Sequence, residues 1–402
     1  MNSVLLLCKA FPPVAGGVET FSEQVARAYV RAGIQVTIIT QTDGDRGWRD
    51  QSYPEGRIAL FNTGDGGQLR TALKMLWAVY QTTRRTRFDF YHATTWRPAI
   101  ALVVARHRSP TAVTVHGREV LRVPTGIRPV MLKVFRRADT VATVSAATRT
   151  RVAAHLQDSI DVSRWIVARN GLSYATEDRR SDPNVKSGHF TSASVRFLTL
   201  ARLVERKNVQ GCLSALQQLW DSGNRNFEYR IAGKGPLFNS LIRQLCDSDL
   251  GEVVQFLGYV DEDDVPDLYR WADVFLHPQI DLHNGEDFEG FGLSIADAMS
   301  FGCLAIAGSG SGPSDFIEHG VTGLLVDGAD QRQIQSSILS VLNNPQRYMS
   351  IATRGQQHVI SELSWDKHVH AVLADLRATP ANLKRPHNAR SGRAIRDQFR
   401  KA

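Results

Sequence analysis

Residues 289–301 read Glu-Gly-Phe-Gly-Leu-Ser-Ile-Ala-Asp-Ala-Met-Ser-Phe. The two glycines of this stretch predict a turn that leads into an apolar helix over Leu293 to Phe301, with Glu289 in the loop before it. Asp297 then lies about a turn and a half inside the helix. The free N–H groups and the positive end of such a helix point outward, towards the loop.

The start of this helix is suited to an anion such as a diphosphate. Glu289 and Asp297 lie on either side of it, and carboxylates accept hydrogen bonds from sugar hydroxyls. One side suits a hexose and the other a ribose. The stretch therefore outlines a binding site for a nucleotide sugar.

Outward from this stretch, strands alternate with helices along the whole chain, in two similar halves. Each half begins with an apolar strand, which is followed by a short loop and then by a helix. The predicted strands around the first helix of each half are Val4–Cys8, Ile34–Thr40, Arg196–Leu200 and Tyr229–Ala232. This alternation predicts an α/β fold of two doubly wound domains with parallel sheets. Ligands of such folds bind at the carboxyl ends of strands, so we expect the substrate in the cleft between the domains.

The predicted domain boundaries follow from composition. A polar segment rich in Ser, Asp and Arg separates the halves and is interpreted as a linker. The last segment is basic and poor in apolar residues, so we expect it to be disordered alone. The predicted parts are an N-terminal domain 1–172, a linker 173–194, a C-terminal domain 195–362, a last helix 363–378 and a tail 379–402.

Composition is that of a globular protein, with 43% hydrophobic and 22% charged residues among 402. No apolar run is long enough to cross a bilayer. The four cysteines show no CxxC pair and no metal spacing, which indicates reduced thiols in a cytoplasmic protein.

Charge is divided unevenly along the chain. Residues 1–175 carry a net charge of +12, residues 176–378 carry −10 and residues 379–402 carry +6. The basic parts are expected to face an acidic lipid surface, a phosphorylated acceptor or nucleic acid. Arginines that flank the predicted helices Leu69–Tyr80 and Pro129–Arg137 make contact with an anionic membrane surface a further hypothesis.

Arg202 and Lys207 follow a predicted strand, where a guanidinium and an ammonium neutralise a diphosphate without a metal. A solvated basic loop is the plain alternative, and Arg206 is expected to point elsewhere. Gly16-Gly17 and Gly233-Lys-Gly235 are loops that allow close approach of a ligand. Neither is a GxGxxG motif and no P-loop is present, which disfavours nicotinamide cofactors and P-loop chemistry.

Three histidines and one acidic cluster complete the candidates. His116 ends a predicted strand and is the strongest histidine; His92 is weaker, and His277 is interpreted as a loop residue near the donor. The cluster Asp261–Asp264 fits a helix N-terminus better than a metal site, because sequence proximity alone does not supply converging oxygen ligands. We therefore expect no metal.

These residues resemble the retaining glycosyltransferases of GT-B fold, specifically glycosyltransferase family 4. The resemblance extends over nearly the whole chain in the family's order. The glutamate-centred motif together with the Arg/Lys pair is its most specific part. The matching segments are 11–13, 16–19, 114–117, 138–145, 170–171, 202–207, 232–236, 256–258, 289–297 and 320–326.

The resemblance implies a role for each matching residue. Arg202 and Lys207 would hold the donor diphosphate, Glu289 would bind a hydroxyl of the donor sugar, and His116 would contact that sugar from the other domain. The remaining donor contacts would be Gly17, Gly233, Phe291, Gly292, Leu293 and Asp297. The resemblance also implies a last helix that crosses back onto the N-terminal domain, and no cofactor besides the nucleoside-diphosphate sugar.

Three features depart from the family pattern. Asp297 and Asp315 stand where glutamates are common, and the segment Gln279–Phe288 is longer than usual. The shorter Asp297 changes the reach towards a ribose, and the long segment is expected to reshape the donor pocket.

The expected function is retaining transfer of a hexose from a UDP or GDP sugar to an acceptor hydroxyl. The expected acceptor is a saccharide or lipid-linked saccharide in surface polysaccharide assembly, handled by a cytoplasmic enzyme peripheral on the inner face of a membrane. A sugar-nucleotide epimerase of the same fold is the first alternative. A non-enzymatic nucleic-acid binder is the second, and it lacks any recognised nucleic-acid module.

Overall fold

The computed structural model describes residues 1–378 except for 15, 43, 65, 106–108, 158, 175–189 and 191–193. Most of the predicted linker 173–194 and all of the predicted tail 379–402 lie outside the described residues. The disorder expected for the tail therefore stays a prediction.

Strands and helices alternate along the described chain. The strands are β1 Ser3–Leu7, β2 Gln35–Thr40, β3 Gly47–Tyr53, β4 Gly56–Asn62, β5 Phe90–Ala93, β6 Thr111–Val115, β7 Thr140–Thr143, β8 Ile166–Val167, β9 Val195–Leu200, β10 Phe227–Ala232, β11 Val254–Gly258, β12 Val274–His277, β13 Leu304–Gly308 and β14 Leu324–Val326. The helices are α1 Gly17–Arg31, α2 Gln68–Arg85, α3 Trp96–Ala105, α4 Arg118–Leu121, α5 Arg128–Arg137, α6 Ala146–Leu156, α7 Val209–Asp221, α8 Phe238–Cys246, α9 Val265–Trp271, α10 Leu293–Ser300, α11 Gln331–Asn343, α12 Pro345–Glu362 and α13 Trp365–Ala378.

The first sheet has the strand order β3-β4-β2-β1-β5-β6-β7-β8. All neighbours pair in parallel except β3, which pairs antiparallel with β4 at the edge. Residues 4–7 of β1 are fully buried on both sides of the sheet, as expected of an apolar strand covered by helices on both faces. The order reverses between β1 and β5, which makes the carboxyl end of β1 a topological switch point.

The second sheet is wholly parallel, in the order β11-β10-β9-β12-β13-β14. Its order reverses between β9 and β12, so the loop after β9 is the corresponding switch point. The chain thus has two α/β domains with doubly wound parallel sheets, which confirms the predicted fold class.

Helices cover both faces of the first sheet. Side chains of α1 and α13 belong to one core cluster, which continues through α10 of the second domain. Side chains of α2, α3 and α5 belong to a separate cluster on the opposite face. Consequently the helical layer of α1 and α13 packs against the C-terminal domain, whereas the layer of α2, α3 and α5 faces solvent.

The last helix, α13, packs against α1 of the N-terminal domain. Trp365 donates through Nε1 to the carbonyl of Leu172 at 2.9 Å, and Arg31 pairs with Asp366 at 2.9 Å. A Cβ at Gly171 would overlap the backbone of Trp365, so the absence of a side chain permits this close approach. Within the residues described, no helix combines the length and the apolarity needed to cross a bilayer.

Candidate active site

The candidate site lies where the carboxyl edges of the two sheets face each other. Gly17 starts α1 after the switch point of the first sheet, and Arg202 and Lys207 follow β9 at the switch point of the second. A Cβ on Gly17 would stand 4.0 Å from Cδ1 of Leu293, the first residue of α10. The two helix starts therefore face each other across the cleft, with their N–H groups near the same space.

Glu289 is the centre of the charged part of the site. Its Oε2 accepts from Nζ of Lys207 at 2.5 Å, and its side chain is only 13% exposed. Burial alone would raise the pKa of Glu289, but the charges of Lys207 and Arg206 outweigh it and hold the pKa well below its usual range. Burial lowers the pKa of Lys207, and the negative charge of Glu289 opposes that shift. The carboxylate is therefore ionised at neutral pH.

Arg206 also belongs to this cluster, so the expectation that it points elsewhere was wrong. Its Nη1 donates to Oε2 of Glu289 at 2.5 Å, and its Nε lies 3.2 Å from Oδ1 of Asp287. The cause is the short 3-10 turn Glu205–Lys207, which is pinned by a hydrogen bond from Ile280 N to Arg206 O. That bond lays Arg206 beside the two carboxylates.

Arg202 has a different environment from Arg206. Its side chain is exposed, and among the residues that the structure describes its guanidinium has no ion pair or hydrogen-bond partner. A guanidinium whose donors are not taken up by protein groups is suited to bind an anion in bidentate fashion. Arg206 therefore pairs with carboxylates, whereas the guanidinium of Arg202 has no partner among the described residues.

Glycines hold the loops of this site close together. Gly233 has φ of +130°, and a Cβ there would overlap the carbonyl oxygen of Ala201. Gly292 has φ of +91° and caps α10, while Phe291 beside it is buried against Phe316 with ring centroids 5.2 Å apart. These positions fix the backbone around the predicted donor contacts.

Asp297 lies at the edge of the site. It is 4% exposed, and its Oδ1 accepts from the backbone N–H of Ser173 at 2.7 Å, at the start of the predicted linker. This bond ties α10 to the crossing between the domains. A contact between Asp297 and a ribose stays a prediction, and it would have to share this carboxylate with Ser173.

The three candidate histidines have separate roles in the structure. His116 is half-buried at the end of β6, and its Nε2 lies 2.9 Å from the carbonyl oxygen of Thr94. His92 is fully buried with both ring nitrogens bonded, to the Tyr29 hydroxyl at 2.9 Å and to Thr114 Oγ1 at 2.8 Å. His92 is therefore part of the core rather than of the site.

His277 was interpreted as a loop residue, and the structure corrects this: it is the last residue of β12 and is fully buried. Its Nε2 is 3.8 Å from Oε2 of Glu289. Burial, together with the charge of Lys207, lowers the pKa of His277 to about 4, so its ring is neutral at neutral pH. The apolar run Val274 to Leu276 leads directly into position 277, which is the signal that the strand extends to it.

Gly290 forms a close contact between the domains at this site. Its carbonyl oxygen accepts from Ser145 Oγ at 2.7 Å and from Thr148 Oγ1 at 3.1 Å. A Cβ at Gly290 would overlap the carbonyl oxygen of His116. Glu289 is thereby held directly opposite the strand end that carries His116.

Two further residues on the cleft were missed from sequence. Asp315, noted only as a departure from the family pattern, accepts from the N–H groups of Ala146 at 2.6 Å and Ala147 at 3.3 Å, so it caps α6 of the other domain. Asp287 lies two residues before Glu289 and contacts arginines of both domains. No metal-ligand cluster of three or more His, Cys, Asp or Glu residues occurs in the described part of the chain.

Comparisons with known proteins bear on the family of this chain. Residues 184–358 match the sequence profile described as glycosyl transferases group 1, and residues 16–171 match the one described as glycosyl transferase 4-like domain. The GDP-mannose-dependent alpha-(1-6)-phosphatidylinositol monomannoside mannosyltransferase of Mycobacterium tuberculosis is 26% identical over 400 residues, which cover 93% of this chain and 98% of that protein. The amylovoran biosynthesis glycosyltransferase AmsK of Erwinia amylovora is 27% identical over 46% of this chain and 45% of its own.

Solved structures share the fold. A sucrose-phosphate synthase from Thermosynechococcus elongatus superposes with a TM-score of 0.74 at 18% identity, covering 94% of this chain and 99% of that chain. HepE of Anabaena in complex with UDP-glucose superposes with a TM-score of 0.71 at 19% identity, covering 94% and 100%. At these identities the likeness establishes the two-domain architecture.

Proposed function

Because this chain belongs to the glycosyl transferases of group 1, with a glycosyl transferase 4-like N-terminal part, we propose that it moves a hexose from a nucleoside-diphosphate hexose to an acceptor at a membrane surface, with retention of anomeric configuration. As a member of that family it is a glycosyltransferase that uses a nucleotide sugar. The retaining course, the residues that carry it and the acceptor are the proposed parts.

The observation that carries the proposal is the cluster of Glu289, Lys207 and Arg206 at the carboxyl edge of the second sheet. It combines a largely buried, ionised carboxylate with cations, and Arg202, five residues before Lys207 on the loop after β9, adds a guanidinium that has no partner among the described residues. A carboxylate accepts from sugar hydroxyls, and a cation stabilises a phosphate that gains charge. The facing starts of α1 and α10 add N–H donors for a diphosphate.

The proposed reaction breaks the bond between the anomeric carbon and the terminal phosphate oxygen of the donor. A bond from that carbon to the acceptor oxygen forms on the same face, and the acceptor proton passes to the departing phosphate. Arg202, and Lys207 once the diphosphate has displaced it from Glu289, stabilise the negative charge that grows on the phosphate. Glu289 binds a hydroxyl of the hexose and orients the anomeric carbon, while His116 contacts the sugar from the other domain.

The acceptor side of the proposal rests on the solvent-facing layer of the N-terminal domain, formed by α2, α3 and α5 and here called the basic helical face. These three helices contain nine Lys or Arg residues and no Asp or Glu. Their outward apolar side chains include Leu73, Trp77 and Tyr80, which are spaced along one side of α2 and are 59%, 58% and 45% exposed. Val104 and Val130 extend the exposed apolar surface onto α3 and α5.

This combination fits an anionic lipid surface. Basic side chains are attracted to acidic headgroups, and tryptophan and tyrosine favour the interface between headgroups and acyl chains. The relative from M. tuberculosis is named for a phosphatidylinositol mannoside acceptor, and the one from E. amylovora for amylovoran biosynthesis. Both names support a lipid-linked or surface-polysaccharide acceptor for this chain.

The reaction is tested without any acceptor, because water replaces it in slow hydrolysis of the donor. The full chain is incubated with GDP-mannose and, separately, with UDP-glucose, and the first-formed free hexose is observed by proton NMR before it mutarotates. We expect the α-anomer to appear first with one of the donors. A β-anomer formed first would contradict retention, and a sugar epimerised at C2 would indicate an epimerase.

The acceptor side is tested by sedimentation with vesicles of phosphatidylcholine containing phosphatidylglycerol, and with vesicles of phosphatidylcholine alone. We expect binding only to the anionic vesicles and weaker binding at high salt, since the attraction is screened. Trp77→Ser is expected to reduce the bound fraction, whereas Trp48→Ser, a matched control that is 56% exposed on β3, leaves it unchanged. Equal effects of the two variants would contradict the assignment of this face.

A further inference from the structure

We propose that Asp287 and Phe288 are positioning residues that make the placement of Glu289 depend on closure of the two domains. The inference rests on the proposed role of Glu289. It assigns a function to the long segment 279–288, which ends at the residue immediately before Glu289. Asp287 acts through its contact with Arg206, which also holds Glu289, and Phe288 acts through the backbone that it shares with Glu289.

Phe288 is seated in the opposite domain. It belongs to the C-terminal domain by sequence, but it is 3% exposed and packs into the core cluster of the N-terminal domain. The pocket that Phe288 fills, here called its seat, lies against Gly117. Gly117 has φ of +111°, and a Cβ at this position would stand only 2.5 Å from Cζ of Phe288. The guanidinium of Arg151 covers the ring, 4.5 Å from its centroid. Because Phe288 adjoins Glu289, this seat fixes the backbone from which the carboxylate extends.

Asp287 links the cations of both domains. On its own side it lies 3.2 Å from Nε of Arg206, the residue that also holds Glu289. From the N-terminal domain, Nε of Arg118 lies 3.5 Å and Nη1 of Arg122 lies 3.6 Å from its carboxylate oxygens. The Asp287 side chain is 11% exposed and that of Arg206 17%, whereas those of Arg118 and Arg122 are 58% and 38% exposed, so water screens the contacts across the cleft more than the contact with Arg206.

The segment that carries these residues is itself structured. Gln279 at its base exchanges two hydrogen bonds of 2.9 Å with the backbone of Gly308. Leu282 and Asp287 pair as an antiparallel bridge, which closes the segment into a hairpin. A hairpin anchored at its base transmits a displacement of its tip to the adjoining residue more faithfully than a flexible loop would.

Separation of the two domains would break these contacts and displace Glu289. When the domains part, Phe288 leaves its seat and Arg118 and Arg122 leave Asp287. The uncompensated charge of Asp287 then attracts Arg206 away from Glu289, and the charged cluster loses the arrangement that orients the sugar. Glu289 is therefore correctly placed only when the cleft is closed and water is excluded, which suppresses hydrolysis of the donor.

The first experiment compares Phe288→Ala and Asp287→Asn with the wild-type full chain, and uses Glu286→Gln as a control on the same segment. In the hydrolysis and transfer assays, with GDP-mannose or UDP-glucose as donor and phosphatidylinositol vesicles as acceptor probe, kcat is expected to fall about tenfold in both variants. The calorimetric Kd for the nucleoside diphosphate should stay within about threefold of wild type, because the diphosphate contacts are retained. Phe288→Leu, which keeps apolar bulk, is expected to recover most of the activity.

A second measurement does not depend on activity. Small-angle X-ray scattering of the free protein is expected to give a larger radius of gyration for Phe288→Ala than for wild type or Glu286→Gln. Unchanged scattering together with unchanged kcat in Phe288→Ala would overturn the inference. If the wild type consumes neither donor while the scattering of the variant does expand, the proposed function fails and the seat of Phe288 stands.

Discussion

Oε2 of Glu289 lies 2.5 Å from Nζ of Lys207, so the carboxylate and the ammonium neutralise each other. If Lys207 holds the donor diphosphate as proposed, the diphosphate competes with Glu289 for this cation, and its arrival frees the carboxylate to bind a sugar hydroxyl. The ion pair keeps both groups ionised and in place before the donor binds. We therefore expect loss of the Glu289 charge to strengthen nucleotide binding and loss of the Lys207 charge to weaken it.

Glu289→Gln is expected to separate nucleotide binding from chemistry. Removing the negative charge releases Lys207, so the free nucleoside diphosphate should bind at least as tightly as it does to wild type. Turnover should fall on the order of 100-fold, since the orientation of the sugar is lost. Calorimetry and initial rates check this, with the exposed Glu252→Gln as control. Weaker nucleotide binding without loss of turnover would contradict the role given to Glu289.

Arg202→Ala and Lys207→Ala are expected to lower kcat about 10²–10³-fold, because each removes a donor directed at the charge that develops on the leaving phosphate. Initial rates of nucleoside diphosphate release measure the effect. Arg332→Ala, an exposed arginine on α11, is the matched control and should keep the wild-type rate. Near-normal rates in either site variant would remove that residue from the diphosphate site.

Gly290→Ala is expected to impair closure without unfolding either domain. The backbone at 290 suits alanine, but the new Cβ would overlap the carbonyl oxygen of His116 across the cleft. We expect a loss of turnover of about tenfold or more with little change in the midpoint of urea unfolding. Gly251→Ala, where a Cβ meets no atom within 4 Å, is the control. Full activity in Gly290→Ala would mean that the domains meet elsewhere during turnover.

Stability is expected to fall as the pH drops from about 6.5 towards 4. Burial, the main cause in each case, lowers the pKa of His92 to about 3 and those of His277 and His368 to about 4. The unfolded chain therefore binds protons that the folded one does not, so these histidines contribute stability above their unfolded pKa that is lost as the pH falls. Each proton taken up on unfolding contributes a slope of about 1.4 kcal/mol per pH unit. Urea unfolding at several pH values measures the slope, and His92→Gln should make it shallower; an unchanged slope would contradict burial as its source.

Much of the fold follows from local sequence pattern. β1 and β9 are short, largely apolar runs that are each followed by a short loop. Such runs predict buried parallel strands, with ligand-binding residues at their ends. The turn and helix after Glu289 were predictable for the same reason, since glycine spacing and helical periodicity are local signals. The predicted helix over Leu293 to Phe301 differs from α10 by one residue at its end.

Contacts distant in sequence were not predictable. The direction of Arg206 depends on a hydrogen bond from Ile280, and the seat of Phe288 depends on a glycine in the other domain. The bond between Asp297 and Ser173 likewise arises only where the domains meet. Periodicity shows which side of an element is apolar, but it does not show which distant element lies against it.

The central claim is that the cleft binds a nucleoside-diphosphate hexose through Arg202 and Lys207. The most direct test is calorimetric titration of the full chain with GDP, UDP, GDP-mannose and UDP-glucose, without added metal, in wild type and Arg202→Ala. We predict binding of one nucleotide and its sugar by the wild type, and weakening of about tenfold or more in Arg202→Ala. Absence of binding across the four ligands, or equal binding by both proteins, would contradict the claim.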